Sequence, residues 1–230
     1  LVANEECERV KTDDLVSAMA QEMGPVKRLR PPMVRAALWL GFSVVVIAII
    51  VAFSGPREDL AQRLARPWEA AQMAIAAVTA VLAAIAAFHL TLPDRSDRWA
   101  LLPLPGLVLW IGTLGWGCVA DFVRLGPEGI TLGTSFGCLG FILGLSLPMG
   151  GAMLFALRHA GPIRPVPTMA AGVLSVAMLA SVGLSIVHHL DAAVMVLIWH
   201  VGAVAIATAI GGMVGGRALA RQSALVQAEA

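Results

Sequence analysis

Charge is scarce in this sequence, and the scarcity decides the class of protein. Asp, Glu, Lys and Arg supply 13% of the 230 residues, against 58% hydrophobic residues and a mean hydropathy of +0.82. So few charges do not cover the surface of a water-soluble domain. Those present gather into short patches, and the stretches between them exceed the roughly 20 apolar residues that a helix needs to cross a bilayer. The net charge is only +1. With no dense Lys/Arg block and no aromatic-interleaved basic stripe, direct nucleic-acid binding is excluded. Cysteine is also sparse: Cys7, Cys118 and Cys138 contain no Cys-x-x-Cys pair, which rules out a disulfide framework or a zinc ribbon. Catalytic signatures are missing as well. There is no His-Glu-x-x-His, no Gly-x-Ser-x-Gly, no phosphate loop and no row of intramembrane acids, so no enzyme and no ion pump is expected.

What is present is a set of six apolar runs, at 34–54, 69–92, 100–121, 133–157, 168–188 and 192–216. Each is long enough to span once, and Pro, Gly and charged residues punctuate the gaps. The pattern predicts an all-α polytopic membrane protein with six transmembrane helices. Residues 1–33 are polar and charged and carry no signal-cleavage pattern, so the first span is expected to be retained. The fifth and sixth spans, joined only near His188-His189-Leu190-Asp191, are expected to form an antiparallel hairpin.

Orientation follows from Lys and Arg. With the N-terminus inside, the inner segments hold Arg9, Lys11, Lys27, Arg28, Arg30, Arg35, Arg95, Arg98, Arg158, Arg164, Arg217 and Arg221, and the outer ones Arg57, Arg63, Arg66 and Arg124. Twelve against four predicts that both termini are cytoplasmic. Gly133/Gly137, Gly140/Gly144 and Gly212/Gly216 have the four-residue spacing of close helix contacts in membranes, and Pro148 is expected to kink the fourth span. Ahead of the first span, Thr12 to Pro25 reads as a short amphipathic helix. Thr12 caps it, Asp13 and Asp14 favour its positive end, Gly24-Pro25 stops it, and Leu15, Met19 and Met23 share one side. Three turns are marginal alone, so this helix is expected to dock onto something.

This topology gathers reactive groups at the outer face. Cys118 near the end of the third span and Cys138 near the start of the fourth both lie about one helical turn from the interface. His188, His189 and Asp191 fall at the same depth, and His200 lies inside the sixth span as an intramembrane ionisable group. A membrane cysteine is ordinarily a small packing residue, but two at matched depth beside paired histidines suggest a thiol pair. The pair either forms a disulfide or binds a soft metal such as copper, zinc or cadmium. Asp121 with Arg124 reads as a solvated helix-end pair.

Several motifs in one order carry a family resemblance: Lys11-Thr12-Asp13-Asp14-Leu15, Val26 to Pro32, Leu92-Pro93-Asp94-Arg95-Ser96, Arg98 to Pro103, Gly117-Cys118 with Asp121, Gly137-Cys138, and Trp199-His200-Val201-Gly202. From about residue 11 to 217 the chain resembles the NrsF family, six-span bacterial inner-membrane proteins that negatively regulate extracytoplasmic-function sigma factors. The resemblance implies that the cytoplasmic segment 10–33 holds the sigma factor through Lys11, Thr12, Asp13, Asp14 and Leu15 and the following helix with Met19 and Met23. It implies that Cys118 and Cys138 sense heavy-metal or oxidative stress, with Asp121, His188, His189, Asp191 and His200 as candidate auxiliaries. Segment 34–217 is then the transmembrane domain and 218–230 a cytoplasmic tail. A homo-oligomer is left open. Family members begin at the Lys-Thr-Asp-Asp motif after an initiator Met, where this chain has Val10. Residues 1–9, with Cys7, are therefore expected to be an upstream extension absent from the natural product. Two other readings stay open: a membrane thiol oxidoreductase acting on quinone, and a metal transporter.

Overall fold

A computed structural model describes residues 12–22, 29–126, 136–158, 160 and 163–187, with seven positions between 202 and 217. Side chains at 12–15, 22, 118, 120, 121, 124, 125 and 136–143 fall outside that description. All described secondary structure is helical or turn, with no strand among the described residues. The chain divides into two compact units, Leu1–Arg30 and Pro31–Ala230. The first contains α1, Thr12–Glu22. The second contains α2 (Pro32–Ser54), α3 (Leu60–Leu64), α4 (Pro67–His89), a 3-10 turn (Asp97–Leu101), α5 (Leu104–Leu125), α6 (Phe136–Arg158) and α7 (Pro165–Val187).

Proline marks where the long helices begin. Pro32, Pro67 and Pro165 open α2, α4 and α7, and Pro105 lies in the first turn of α5. A first-turn proline gives up an amide that no helical carbonyl would have bonded, and its fixed φ already suits the helix. At 23 residues, α2, α4 and α7 are each about 35 Å long, enough for the ~30 Å hydrocarbon core of a bilayer.

Among the described residues, four helical segments are long and apolar enough to cross a membrane: Pro32–Ser54, Pro67–His89, Asp97–Gly117 and Pro165–Val187. That is fewer than the six expected. The run 133–157 forms the 23-residue α6 with Pro148 inside it, and its first eight side chains are outside the description. Most of the run 192–216 is also outside it. The described positions 202, 205, 206, 209, 210, 213 and 217 are helical, at helical spacing. The hairpin turn expected at His188 to Asp191 lies outside the described residues.

α4 and α7 form the centre. Ala76, Ala80, Ala83, Ala84 and Ala87 on α4 are buried, as are Ser175, Met178 and Ala180 on α7. Small side chains let two backbones approach where lipid supplies no hydrophobic drive. Ser175 Oγ uses the approach to donate to the Ala80 carbonyl at 2.6 Å. On the other side of α7, α6 presents a buried ridge of Leu145, Met149, Met153 and Leu157, spaced four apart. It packs over Gly172 and Gly183, where an added Cβ would lie 3.1 Å from Met153 Cγ and 2.8 Å from Leu145 Cδ1. They are not among the glycines whose spacing predicts contact, and of that set only Gly144 has described surroundings. Gly144 is exposed, with open space where its Cβ would be. From residue 144 onward the contact face of α6 is large side chains, and the small partners belong to α7.

The outward faces are apolar. Phe53 is 88% exposed, and Val44, Val45, Val108, Leu109, Trp116 and Leu147 are exposed too. A surface of this kind suits lipid rather than water.

Candidate functional site

Polar groups are concentrated at the two ends of the helix bundle. At one end meet the start of α2, the end of α4, the 3-10 turn, the end of α6 and the start of α7. Arg35 donates to the Ala156 carbonyl at 2.6 Å and to Thr91 Oγ1 at 3.4 Å, and its guanidinium lies 4.9 Å from the Phe88 ring centre. His89, buried, stacks on Trp99 with ring centres 4.0 Å apart and planes 5° from parallel. Arg164 pairs with Asp97 and donates to the Leu92 carbonyl at 3.4 Å. Five elements thereby meet around two arginine donors, whose acceptors are the Ala156 and Leu92 carbonyls, the Thr91 hydroxyl and the Asp97 carboxylate.

At the other end, residues 55–66 fold back over the tips of α4 and α7. The Arg57 amide donates to the Ile186 carbonyl at 2.9 Å, and Arg57 is only 4% exposed. Its guanidinium donates to Asp59 Oδ2 at 2.8 Å. Arg63 and Arg66 both reach Glu69, at 3.3 and 2.9 Å. The Arg57 hydrogen bond, with the charges of Arg57 and Arg63, holds the Asp59 carboxyl down at about 2, against a smaller opposing effect of desolvation. Beside this network lies a cavity of about 60 Å³ lined by Arg63, Glu69, Gln72, Trp110, Ser181 and Ser185. The three arginines of the expected outer loop are thus engaged with Asp59 of the same segment and Glu69 in the first turn of α4.

The expected sensing residues distribute as follows. α5 runs antiparallel to α4, since Gly106 lies against Thr79 and Trp110 shares the cavity with Met73 and Ala76. Cys118 is eight residues beyond Trp110, about 12 Å further toward the Arg57 end. It follows directly on Gly117, the last residue of the third candidate span. α6 ends at the Arg35 end, so Cys138, in its first turn, lies toward the opposite one. α5 packs on α4, and α6 packs on α7 and α2. The side chains of Cys118, Cys138 and Asp121 are outside the described set, and His188, His189, Asp191, His200 and Cys7 lie outside the described residues. Among the described residues no group of three His, Cys, Asp or Glu is placed to hold a metal.

The expected sigma-contacting residues belong to the first unit. Thr12, Asp13, Asp14 and Leu15 open α1, and Val16 and Met19 on it are 58% and 56% exposed. Lys11 and Met23 lie outside the described residues. Sequence reasoning counts Arg35 only as an inside charge and passes over Trp39. A charge one turn into an apolar run, just after Pro31-Pro32, is the signal for a functional contact.

These features define a helical protein with at least four apolar helices fit for a bilayer and a short exposed helix in its own compact unit. The sequence matches the family model of NrsF, negative regulator of sigma F, over residues 19–220. The chain belongs to the NrsF family, and its partner is accordingly a sigma factor, whose activity it opposes. The matched span includes Cys118 and Cys138 and begins after Lys11 to Leu15. No curated protein and no solved structure matches the chain.

Proposed function

We propose that the chain is a six-span anti-sigma factor of the bacterial inner membrane. It holds an extracytoplasmic-function sigma factor on a cytoplasmic N-terminal segment and releases it when Cys118 and Cys138 meet heavy metal or oxidant. The family match carries the regulatory part of this reading. The exposed apolar side chains Val16 and Met19 on α1 support the segment as the docking element, since a three-turn helix gains stability from what it binds. Twelve Lys and Arg against four support cytoplasmic termini. The length of α6 and the helical positions between 202 and 217 support the remaining two spans. The thiols either close a disulfide or share a transient copper, zinc or cadmium ion, and either event changes the packing of the helices that bear them.

The test is co-purification of the full-length chain, in native membranes, with its cognate sigma factor. Retention that is lost after cadmium or diamide treatment supports the reading. No retention by the untreated chain removes it.

A further inference from the structure

A signal at one end of the bundle reaches the other only through a part that moves, and two side chains on α2 identify it. Arg35 and Trp39 are one turn apart and share a helix face. Each donates to a main-chain carbonyl of α6: Arg35 Nη2 to Ala156 at 2.6 Å and Trp39 Nε1 to Met149 at 3.1 Å. The acceptors are two turns apart on α6. Ala156 is in the last turn, where carbonyls have no helical donor and the dipole favours a cation, so Arg35 caps a helix other than its own.

Both attachments fall on the C-terminal side of Pro148. A proline inside a helix withholds one amide from the ladder and crowds the carbonyl four residues back, so the helix is easiest to bend there. The half of α6 before Pro148, with Cys138 in its first turn, is joined to the fastened half at this weak point. At the other end of the fastened pair, the Arg35 amide donates to the Pro31 carbonyl at 3.1 Å, and Pro31-Pro32 fixes two successive φ angles. Such a junction has few free torsions with which to absorb a tilt of α2.

We propose that displacement of α6 about Pro148 is passed to the junction before α2 through Arg35 and Trp39, which act as positioning residues. The regulatory purpose of this coupling rests on the anti-sigma reading, but the coupling itself has a readout that needs no sigma factor. Amide exchange is measured on the full-length chain in nanodiscs, with α6 stiffened by Pro148→Ala. A second stiffening variant, Gly150→Ala, enters open space and serves if the first fails to fold. Either change is expected to alter exchange over residues 33–40 of α2 by about threefold, the scale of one lost or gained hydrogen bond. Adding Arg35→Gln and Trp39→Phe together is expected to abolish that response. An unchanged α2 in both stiffened variants overturns the proposal, as does a response that survives the double substitution. Sigma co-purification with the untreated wild-type chain is scored separately. Its failure removes the anti-sigma reading and leaves the coupling to be decided by amide exchange alone.

Discussion

Arg35, in the first turn of α2, caps the last turn of α6 through the Ala156 carbonyl at 2.6 Å. Its charge is unfavourable at the start of its own helix and favourable at the end of its neighbour, so the residue serves the pair. Arg35→Met should lower stability by about 1.5–3 kcal/mol, the range for hydrogen bonds to a charged group. Arg35→Lys should recover part of this, since Lys keeps the charge but not the planar fork. Thermal unfolding in detergent compares the three.

Close approach at three glycines gives a second expectation. A Cβ on Gly106 would press on Thr79, a stiff, buried side chain already hydrogen-bonded to the Ile75 carbonyl at 2.7 Å. At Gly183 and Gly172 the obstacles are the flexible ends of Leu145 and Met153, 2.8 and 3.1 Å away. Gly106→Ala should therefore cost most, about 2–3 kcal/mol, with Gly183→Ala and then Gly172→Ala below it. Gly150→Ala meets nothing and should gain about 0.5–1 kcal/mol from helix propensity. A melting series in which Gly150→Ala is the worst of the four would contradict this packing.

The sequence discloses a helix wherever an apolar run meets a proline. Run 34–54 corresponds to Pro32–Ser54 and run 168–188 to Pro165–Val187. It is less informative about which faces meet. Gly140/Gly144 has the spacing of a contact motif, yet Gly144 faces open space while Gly172 and Gly183 lie under α6. Spacing along one helix records its own surface and not the shape of its neighbour. The tie from Arg35 to Ala156 is hidden for a similar reason, because its acceptor is a backbone carbonyl and carries no residue identity. The candidate sensing set is legible as residue types at matched depth, whereas the distance between two sulfurs depends on tertiary packing.

Acid stability should depend on Asp59. Its carboxyl is held at about 2, below the ordinary 3.8, chiefly by the Arg57 hydrogen bond. A lowered folded-state value means that the unfolded chain binds the proton more readily. The stabilisation is therefore complete above about pH 4 and lost as pH falls toward 2. Asp59→Asn should flatten that part of the stability profile and lower stability near neutrality. Detergent unfolding at a series of pH values reads both effects, and a profile unchanged by the substitution would show that the pair contributes nothing.

Met19 on α1 is 56% exposed, and the sequence spacing groups it with Leu15 and Met23 on one side of the expected docking helix. Met19→Glu in the full-length chain should weaken sigma binding about tenfold or more, equivalent to roughly 1.4 kcal/mol. Membrane insertion and melting should not change, because α1 belongs to a compact unit separate from the helices that begin at Pro31. Titration of the sigma factor onto vesicles carrying each form separates loss of docking from loss of protein.

The thiols give the last expectation. Cys118 lies about two turns before the end of α5 and Cys138 in the first turn of α6, and both stand toward the Arg57 end. If signal enters there, Cys118→Ser and Cys138→Ser should each leave resting repression intact while abolishing release by cadmium or diamide. A serine hydroxyl keeps the size but neither oxidises to a disulfide nor binds a soft metal as a thiolate does. Loss of response in both with normal sigma retention locates the input at the cysteines. A normal response in both moves the input elsewhere, and the cavity beside Glu69 at the same end of the bundle is the next place for substitution.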